Sequence, residues 1–369
     1  MSALNDDVVD HLREMAEEPD LSSTKYELIR KLDSGGMGSV YLVKDTALGR
    51  EVALKVVHAA DPSGTMASRL LAEARHLARL EHPNIVPVHD VGSLPGGRVY
   101  CAMKLVRGRR LDEWRKDPQG RPGLLRLFQR ICGAVAFAHA QGVMHRDLKP
   151  ENIMVGSFGE ALVMDWGVAK LMGAPTLPGD PPARREPDDP FDDVDPGYHD
   201  GDTLERRDIL GGRGTAPGAV IGTPAYMSPE QARGEVNRLD ERTDVYALGA
   251  ILFFLLSGRP PYEGGSAREL LEQVRRAPPP PLSRLDASIP KSLEAICARA
   301  MAPAPGDRYA SAQQMSDDIE RFLDGEPVHA HPENFLERAL RLIDKHRVLV
   351  WLLAAYVLMR MTVLILTGR

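Results

Sequence analysis

Apolar positions change their period along the chain. Between Tyr26 and Val57 they come as short aliphatic or β-branched runs, Val40-Tyr41-Leu42-Val43 and Val52-Ala53-Leu54, separated by glycines and charged turns. That texture predicts antiparallel strands. Leu70, Ala74, Leu77 and Leu80 then recur at helical spacing before His82-Pro83-Asn84 stops them, which sets one helix within a small sheet. After Arg110 the helical period dominates, as in Leu124, Leu127, Phe128, Ile131 and Val135 and again over 246–256. The expected class is therefore α+β and bilobal: an acidic extension over 1–24, a small sheet lobe over 25–105 and a larger, mainly α lobe over 106–325.

Two stretches break this alternation. Residues 172–214 hold seven prolines, seven glycines and eleven acids against five arginines, too little apolar surface to offset the entropy of ordering. They are expected to form a disordered insert in the larger lobe. Residues 348–366 are mostly apolar and would measure about 28 Å as a helix, close to a bilayer core of about 30 Å. Arg360 costs such a span roughly 3 kcal/mol, which its Leu, Ile and Val residues together outweigh. Arg338, Arg341, Lys345 and Arg347 precede it in a basic linker over 326–347, so a single pass through the cell membrane with the bulk of the chain cytoplasmic is expected. A docked or in-plane helix is the other reading.

Composition narrows the classes. At 369 residues the chain exceeds one hydrophobic core, and 43% apolar with 27% charged residues excludes a wholly disordered or multi-span protein. The formal net charge is −6, all of it accounted for by the 172–214 insert, so no basic excess points to nucleic acid. Cys101, Cys132 and Cys297 lie far apart with no C-x-x-C pairing, against a disulfide framework or zinc site. His139 and His89 lack metal-ligand spacing and read as structural.

The chemistry gathers in a few short runs. Ser34-Gly35-Gly36-Met37-Gly38-Ser39-Val40 lies between two predicted strands; it suits a hairpin turn, or a backbone that approaches phosphate closely because no Cβ intervenes. Lys55 ends the strand Val52-Ala53-Leu54, and an ammonium buried there needs an anion. Glu73, on the predicted helix, is the natural partner, although an ordinary surface pair fits the same residues. His145-Arg146-Asp147-Leu148-Lys149-Pro150-Glu151-Asn152 places a carboxylate, an ammonium and an amide on one turn, and Val163-Met164-Asp165-Trp166-Gly167 adds a second carboxylate at a strand end. Asn152 and Asp165 supply the oxygen ligands that Mg²⁺ prefers.

These runs, in this order, make 26–323 resemble the protein kinases, in the eukaryotic-like (Hanks-type) serine/threonine branch found in bacteria. Gly222-Thr223-Pro224-Ala225-Tyr226-Met227-Ser228-Pro229-Glu230, Asp244-Val245-Tyr246-Ala247-Leu248-Gly249 and Arg308 complete the set. The resemblance implies the bilobal protein kinase fold and transfer of the γ-phosphoryl group of ATP, with Mg²⁺, to Ser or Thr hydroxyls of protein substrates. It casts Asp147 as proton acceptor, Lys149 as charge compensator, Lys55 held by Glu73 as the phosphate grip, and Asn152 and Asp165 as metal ligands. ATP would lie under Leu32, Asp33, Ser34, Gly35, Gly36, Met37, Gly38, Ser39, Val40 and Ala53 and over Met154, with Met103 as gatekeeper and Leu105 in the hinge. Glu230 would pair with Arg308. Thr223 would touch the catalytic loop, and phosphate on Thr215 would meet Arg146 and order the activation segment, introduced by self-association in trans. Asp33 stands where the family has its first loop glycine, and Trp166 where it has phenylalanine. These departures leave open a pseudokinase scaffold; a small-molecule phosphotransferase of kinase-like fold is a further alternative.

Overall fold

The computed structural model describes residues 18–35, 38–60 (backbone alone at 58–60), 80–95, 97–166, 224–235, 238–332, 338, 351–352 and 355–362. Gly36, Met37, Glu73, most of the helix expected before Leu80, the 172–214 insert, Thr215 and Thr223 lie outside the described residues.

The first five strands are β1 (Tyr26–Gly35), β2 (Gly38–Asp45), β3 (Arg50–Ala60), β4 (Val88–Ser93) and β5 (Arg98–Lys104). They form one antiparallel sheet in the order β1-β2-β3-β5-β4. Strand alternation divides its side chains between two faces. Tyr41, Val43, Val52, Leu54 and Val56 bury together with Leu21 and Tyr26 on one face. Ala53, Cys101 and Met103 face the other way, packing with Val86, Met154 and Leu162. Lys55 follows Ala53 by two residues and so shares that second face.

The larger lobe opens with β6 (Gly108–Arg110), α1 (Leu111–Trp114) and α2 (Arg121–Ala140); β7 (Ile153–Gly156) and β8 (Ala161–Val163) complete a three-stranded sheet with β6. The helices α3 (Pro229–Arg233), α4 (Glu241–Ser257), α5 (Ala267–Arg276), α6 (Lys291–Ala300) and α7 (Ala312–Leu323) follow. Every residue of α4 from Thr243 to Leu256 is buried, the mark of a helix at the centre of a core. The Asp240 carboxylate caps its first turn, and Gly258, at φ 74°, ends it in the left-handed conformation that glycine accepts without strain. The three cysteines are free and buried; burial pushes the Cys101 thiol up to about 12, which leaves it a packing group.

Among the described residues no helix is long and apolar enough to cross a membrane. Of the expected span 348–366, the described positions are helical and exposed, Trp351 at 75% and Leu358 at 69%.

Candidate active site

Between the two lobes lies a cleft of about 660 Å³. Leu32, Val40 and Ala53 roof it, Met154 and Met164 floor it, and Met103, Lys104, Leu105 and Val106 line the connection between lobes. The residues expected around a purine are thus brought together. In the β1–β2 hairpin Asp33 pairs with Val40, Ser34 with Ser39 and Gly35 with Gly38. A Cβ on Gly38 would stand 2.4 Å from the Val56 carbonyl oxygen, whereas one on Gly35 would meet nothing within 4 Å. Gly38 is therefore required by the close crossing of two strands, and Gly35 leaves open space over the cleft.

Lys55 Nζ donates to Asp165 Oδ1 at 2.8 Å, across 110 positions of sequence. Both side chains are largely withdrawn from water, at 13% and 24% exposure. On the turn before β7, Lys149 Nζ donates to Asp147 Oδ2 at 2.8 Å. Asn152 Nδ2 donates to the Asp147 carbonyl at 2.7 Å and to its Oδ2 at 3.2 Å. The amide nitrogen is thereby spent on Asp147, and among the described residues nothing donates to Asn152 Oδ1. The two halves are joined by the Met164 N–H, which donates to the Asn152 carbonyl at 2.9 Å. No three His, Cys, Asp or Glu side chains gather into a metal cluster among the described residues. Asn152 Oδ1 and Asp165 Oδ2 are a pair of hard oxygen donors, which fits a cation that keeps several waters.

Arg146 and Asp165 are the non-glycine residues at positive φ among those described, at 67° and 61°. Such conformations cost about 1–3 kcal/mol each and persist where neighbours over-determine them. Asp244 does this for the first. Its buried carboxylate accepts from the His145 N–H at 2.7 Å, the Arg146 N–H at 2.8 Å and His139 Nε2 at 2.8 Å. Burial alone would raise its pKa, but the His139 hydrogen bond and the neighbouring imidazole charges hold it below the usual carboxylate range. On its far side, the Arg146 carbonyl accepts from Gln231 Nε2 at 2.7 Å. Asp165 is steadied by Lys55 and by the flanking Met164, whose carbonyl lies 2.9 Å from His145 Nε2.

Trp166 does not line the cleft. Its ring is 3% exposed, its Nε1 donates to the Val163 carbonyl at 3.2 Å, and its centroid lies 4.9 Å from that of His145. The larger ring is accommodated in the core, with Val88 beside the same cluster. Glu230 and Arg308 meet as expected, by a two-fold contact of 2.7 and 2.8 Å. The roles of Asp244 and Gln231 were missed in the sequence. The available signal was an acid in the first turn of a helix that is otherwise apolar, since a buried carboxylate must find donors.

Residues 26–180 match the family model described as protein kinase domain. The serine/threonine-protein kinase PknD of Chlamydia trachomatis is 37% identical over 318 residues, covering 82% of this chain and 32% of PknD. The PknD of Chlamydia pneumoniae is 33% identical over 319 residues, covering 82% and 31%. The chain thus spans about a third of the length of these curated relatives. Among solved structures, the PknI kinase domain of Mycobacterium tuberculosis superposes with a TM-score of 0.55 at 26% identity, covering 81% of this chain and 96% of that one. With the site geometry, these likenesses establish that the chain belongs to the protein kinase family, in its eukaryotic-like (Hanks-type) serine/threonine branch.

Proposed function

We propose that the chain is a serine/threonine protein kinase that transfers the γ-phosphoryl group of ATP to Ser or Thr hydroxyls of proteins. The observation that carries the reading is the hydrogen-bonded set Lys149, Asp147 and Asn152, coupled through Met164 to the Lys55–Asp165 pair at the cleft. Asp147 accepts the proton of the substrate hydroxyl as its oxygen attacks the γ-phosphorus; the bond from phosphorus to the bridging oxygen breaks and ADP leaves. Lys149, already within 2.8 Å of Asp147, offsets the charge on the transferring group. Lys55 grips the α and β phosphates. Asn152 and Asp165 would hold Mg²⁺, which when bound neutralises phosphate charge. Burial of Trp166 in the core removes one motive for a pseudokinase reading. Incubating the protein with Mg-ATP and a basic protein acceptor, beside an Asp147→Asn control, tests the proposal; equal labelling of acceptor in both samples would overturn it.

Regulation by phosphate on Thr215 belongs to the same proposal. No described residue offers an anion to the Arg146 guanidinium, and a phosphate would supply one. Thr215→Ala is expected to lower activity several-fold, with the phosphate found at that position by mass spectrometry; full turnover without it would sink the idea.

The tail, by the same proposal, anchors the kinase to the cytoplasmic face of a membrane. The exposure of Trp351, Leu352, Tyr356, Val357 and Leu358 supports this, because a contiguous apolar surface is costly in water. After membrane fractionation the chain should stay in the pellet through a carbonate wash. Release to the supernatant would leave only a peripheral contact.

A further inference from the structure

Asp33 occupies a loop position beside the expected phosphates, where a bare carboxylate would repel them. Its geometry turns that charge elsewhere. Oδ1 accepts from the Ser34 N–H at 2.8 Å, and Oδ2 lies 3.6 Å from Arg110 Nη1. Asp33 belongs to β1 in the roof, whereas Arg110 ends β6 and pairs in register with Met154, the floor of the cleft. The contact therefore runs from roof to floor across the mouth of the cleft. A second acid and arginine make a parallel tie nearer the hinge, Glu51 on β3 to Arg107 Nη2 at 2.8 Å. All four side chains line the cleft. Arg110 is shared with Asp112 at 3.8 Å and Glu113 at 3.7 Å, so it is poised among three carboxylates rather than committed to one.

We propose that Asp33 and Arg110 form an electrostatic strap that holds the glycine-rich loop down over a bound nucleotide, making Asp33 a positioning residue for phosphoryl transfer rather than a repelling charge. The inference rests on the nucleotide reading of this cleft. It predicts a signature in release kinetics. An exposed pair of this kind contributes little, 67% and 41% of the two side chains being open to water, so its loss should change dissociation about threefold. Because both groups are solvated, the tie is screened when the Debye length falls to about 3 Å at 1 M salt.

The test is stopped-flow binding of fluorescent mant-ADP with Mg²⁺ to the full chain and to Asp33→Asn, Arg110→Met and the double variant. Asp33→Asn keeps an oxygen for the Ser34 N–H while removing the charge. Expected are dissociation about threefold faster in each single variant, no further gain in the double beyond the faster single, and unaltered melting temperatures. Salt at 1 M shifts every rate by screening the phosphate contacts that all variants share, but it should bring the ratio of the Asp33→Asn rate to the wild-type rate from about threefold to near one. Slower or equal dissociation in Asp33→Asn, with faster association, would show a repelling charge and overturn the strap, as would additive effects in the double variant. A wild-type chain that does not bind mant-ADP at all would overturn the nucleotide reading itself, and the strap with it.

Discussion

Asparagine in place of Asp147 is expected to lower phosphoryl transfer by about 10²–10⁴-fold while leaving nucleotide affinity and thermal stability nearly unchanged. The substitution is close to isosteric. Its amide oxygen can still accept from Lys149 Nζ and Asn152 Nδ2, which reach the carboxylate at 2.8 and 3.2 Å. The backbone contact from Asn152 to the Asp147 carbonyl, at 2.7 Å, is untouched. What disappears is the group proposed to take the proton, together with the negative charge beside Lys149. The loss should therefore fall on kcat, with KM for ATP steady, since an interaction made only in the transition state affects the chemical step. Measured by phosphate incorporation into a protein acceptor, a residual rate above a tenth of wild type would show that another group accepts the proton.

The parts of this site that were legible in the sequence are those in which chemistry dictates residue type at short spacing. Asp147, Lys149 and Asn152 share one turn, so their mutual reach follows from local backbone geometry. The placement of Lys55 and Ala53 on one strand face follows from the two-residue period of β structure. Long-range pairings were not legible in the same way. Spacing suggested Glu73 for Lys55, a residue outside those described, whereas the partner seen is Asp165, 110 positions away. Nothing in a linear pattern aims one loop at another across a cleft, and the Asp33–Arg110 contact is of that kind. In the sequence Asp33 is a charge in place of a loop glycine, and the cation that redirects it, Arg110 at the end of β6, comes from the other lobe. Trp166 likewise stands in the sequence only as a larger ring in place of phenylalanine. The donation of its Nε1 to Val163 and its packing against His145 depend on a pocket that only the assembled core defines. Glu230 and Arg308, by contrast, were paired through the family resemblance and not through spacing, and they meet across 78 positions.

That pair carries the second large effect. The side chains of Arg308 and Glu230 are 0% and 3% exposed, and all five guanidinium N–H groups have acceptors. Nη1 donates to Glu230 Oε1 and the Arg242 carbonyl, Nη2 to Glu230 Oε2 and the Pro303 carbonyl, and Nε to the Ala302 carbonyl. Arg308→Met would leave a buried carboxylate with the side chains of Thr243, whose Oγ1 lies at 3.2 Å, and Ser228 as donors in place of a guanidinium. Breaking a buried pair from one side costs about 3–5 kcal/mol, a fall in melting temperature on the order of 10 °C for a lobe of this size. The pH dependence has a definite sign. In the native chain burial pushes the Glu230 carboxyl up, but the Arg308 hydrogen bonds and charge outweigh it and hold the pKa below the usual range. A depressed folded pKa contributes stability that is present above the unfolded value of about 4.3 and is lost as pH falls through the folded one. In the variant burial is opposed only by the weaker hydrogen bonds from Thr243, Ser228 and the backbone, so the folded pKa rises and its penalty is relieved as pH falls through that higher value. The stability gap between the two proteins should thus be widest near neutrality and shrink in acid. Activity should fall further than the unfolded fraction accounts for, because Glu230 sits in α3 one residue before Gln231, whose amide holds the strained Arg146 carbonyl at 2.7 Å. Thermal melts at pH 7 and pH 5, run beside transfer assays at 25 °C, provide the check. A melting temperature within about 2 °C of wild type, or a gap that does not narrow in acid, would mean that the carboxylate finds other donors and that the pair is dispensable to the anchoring of α3.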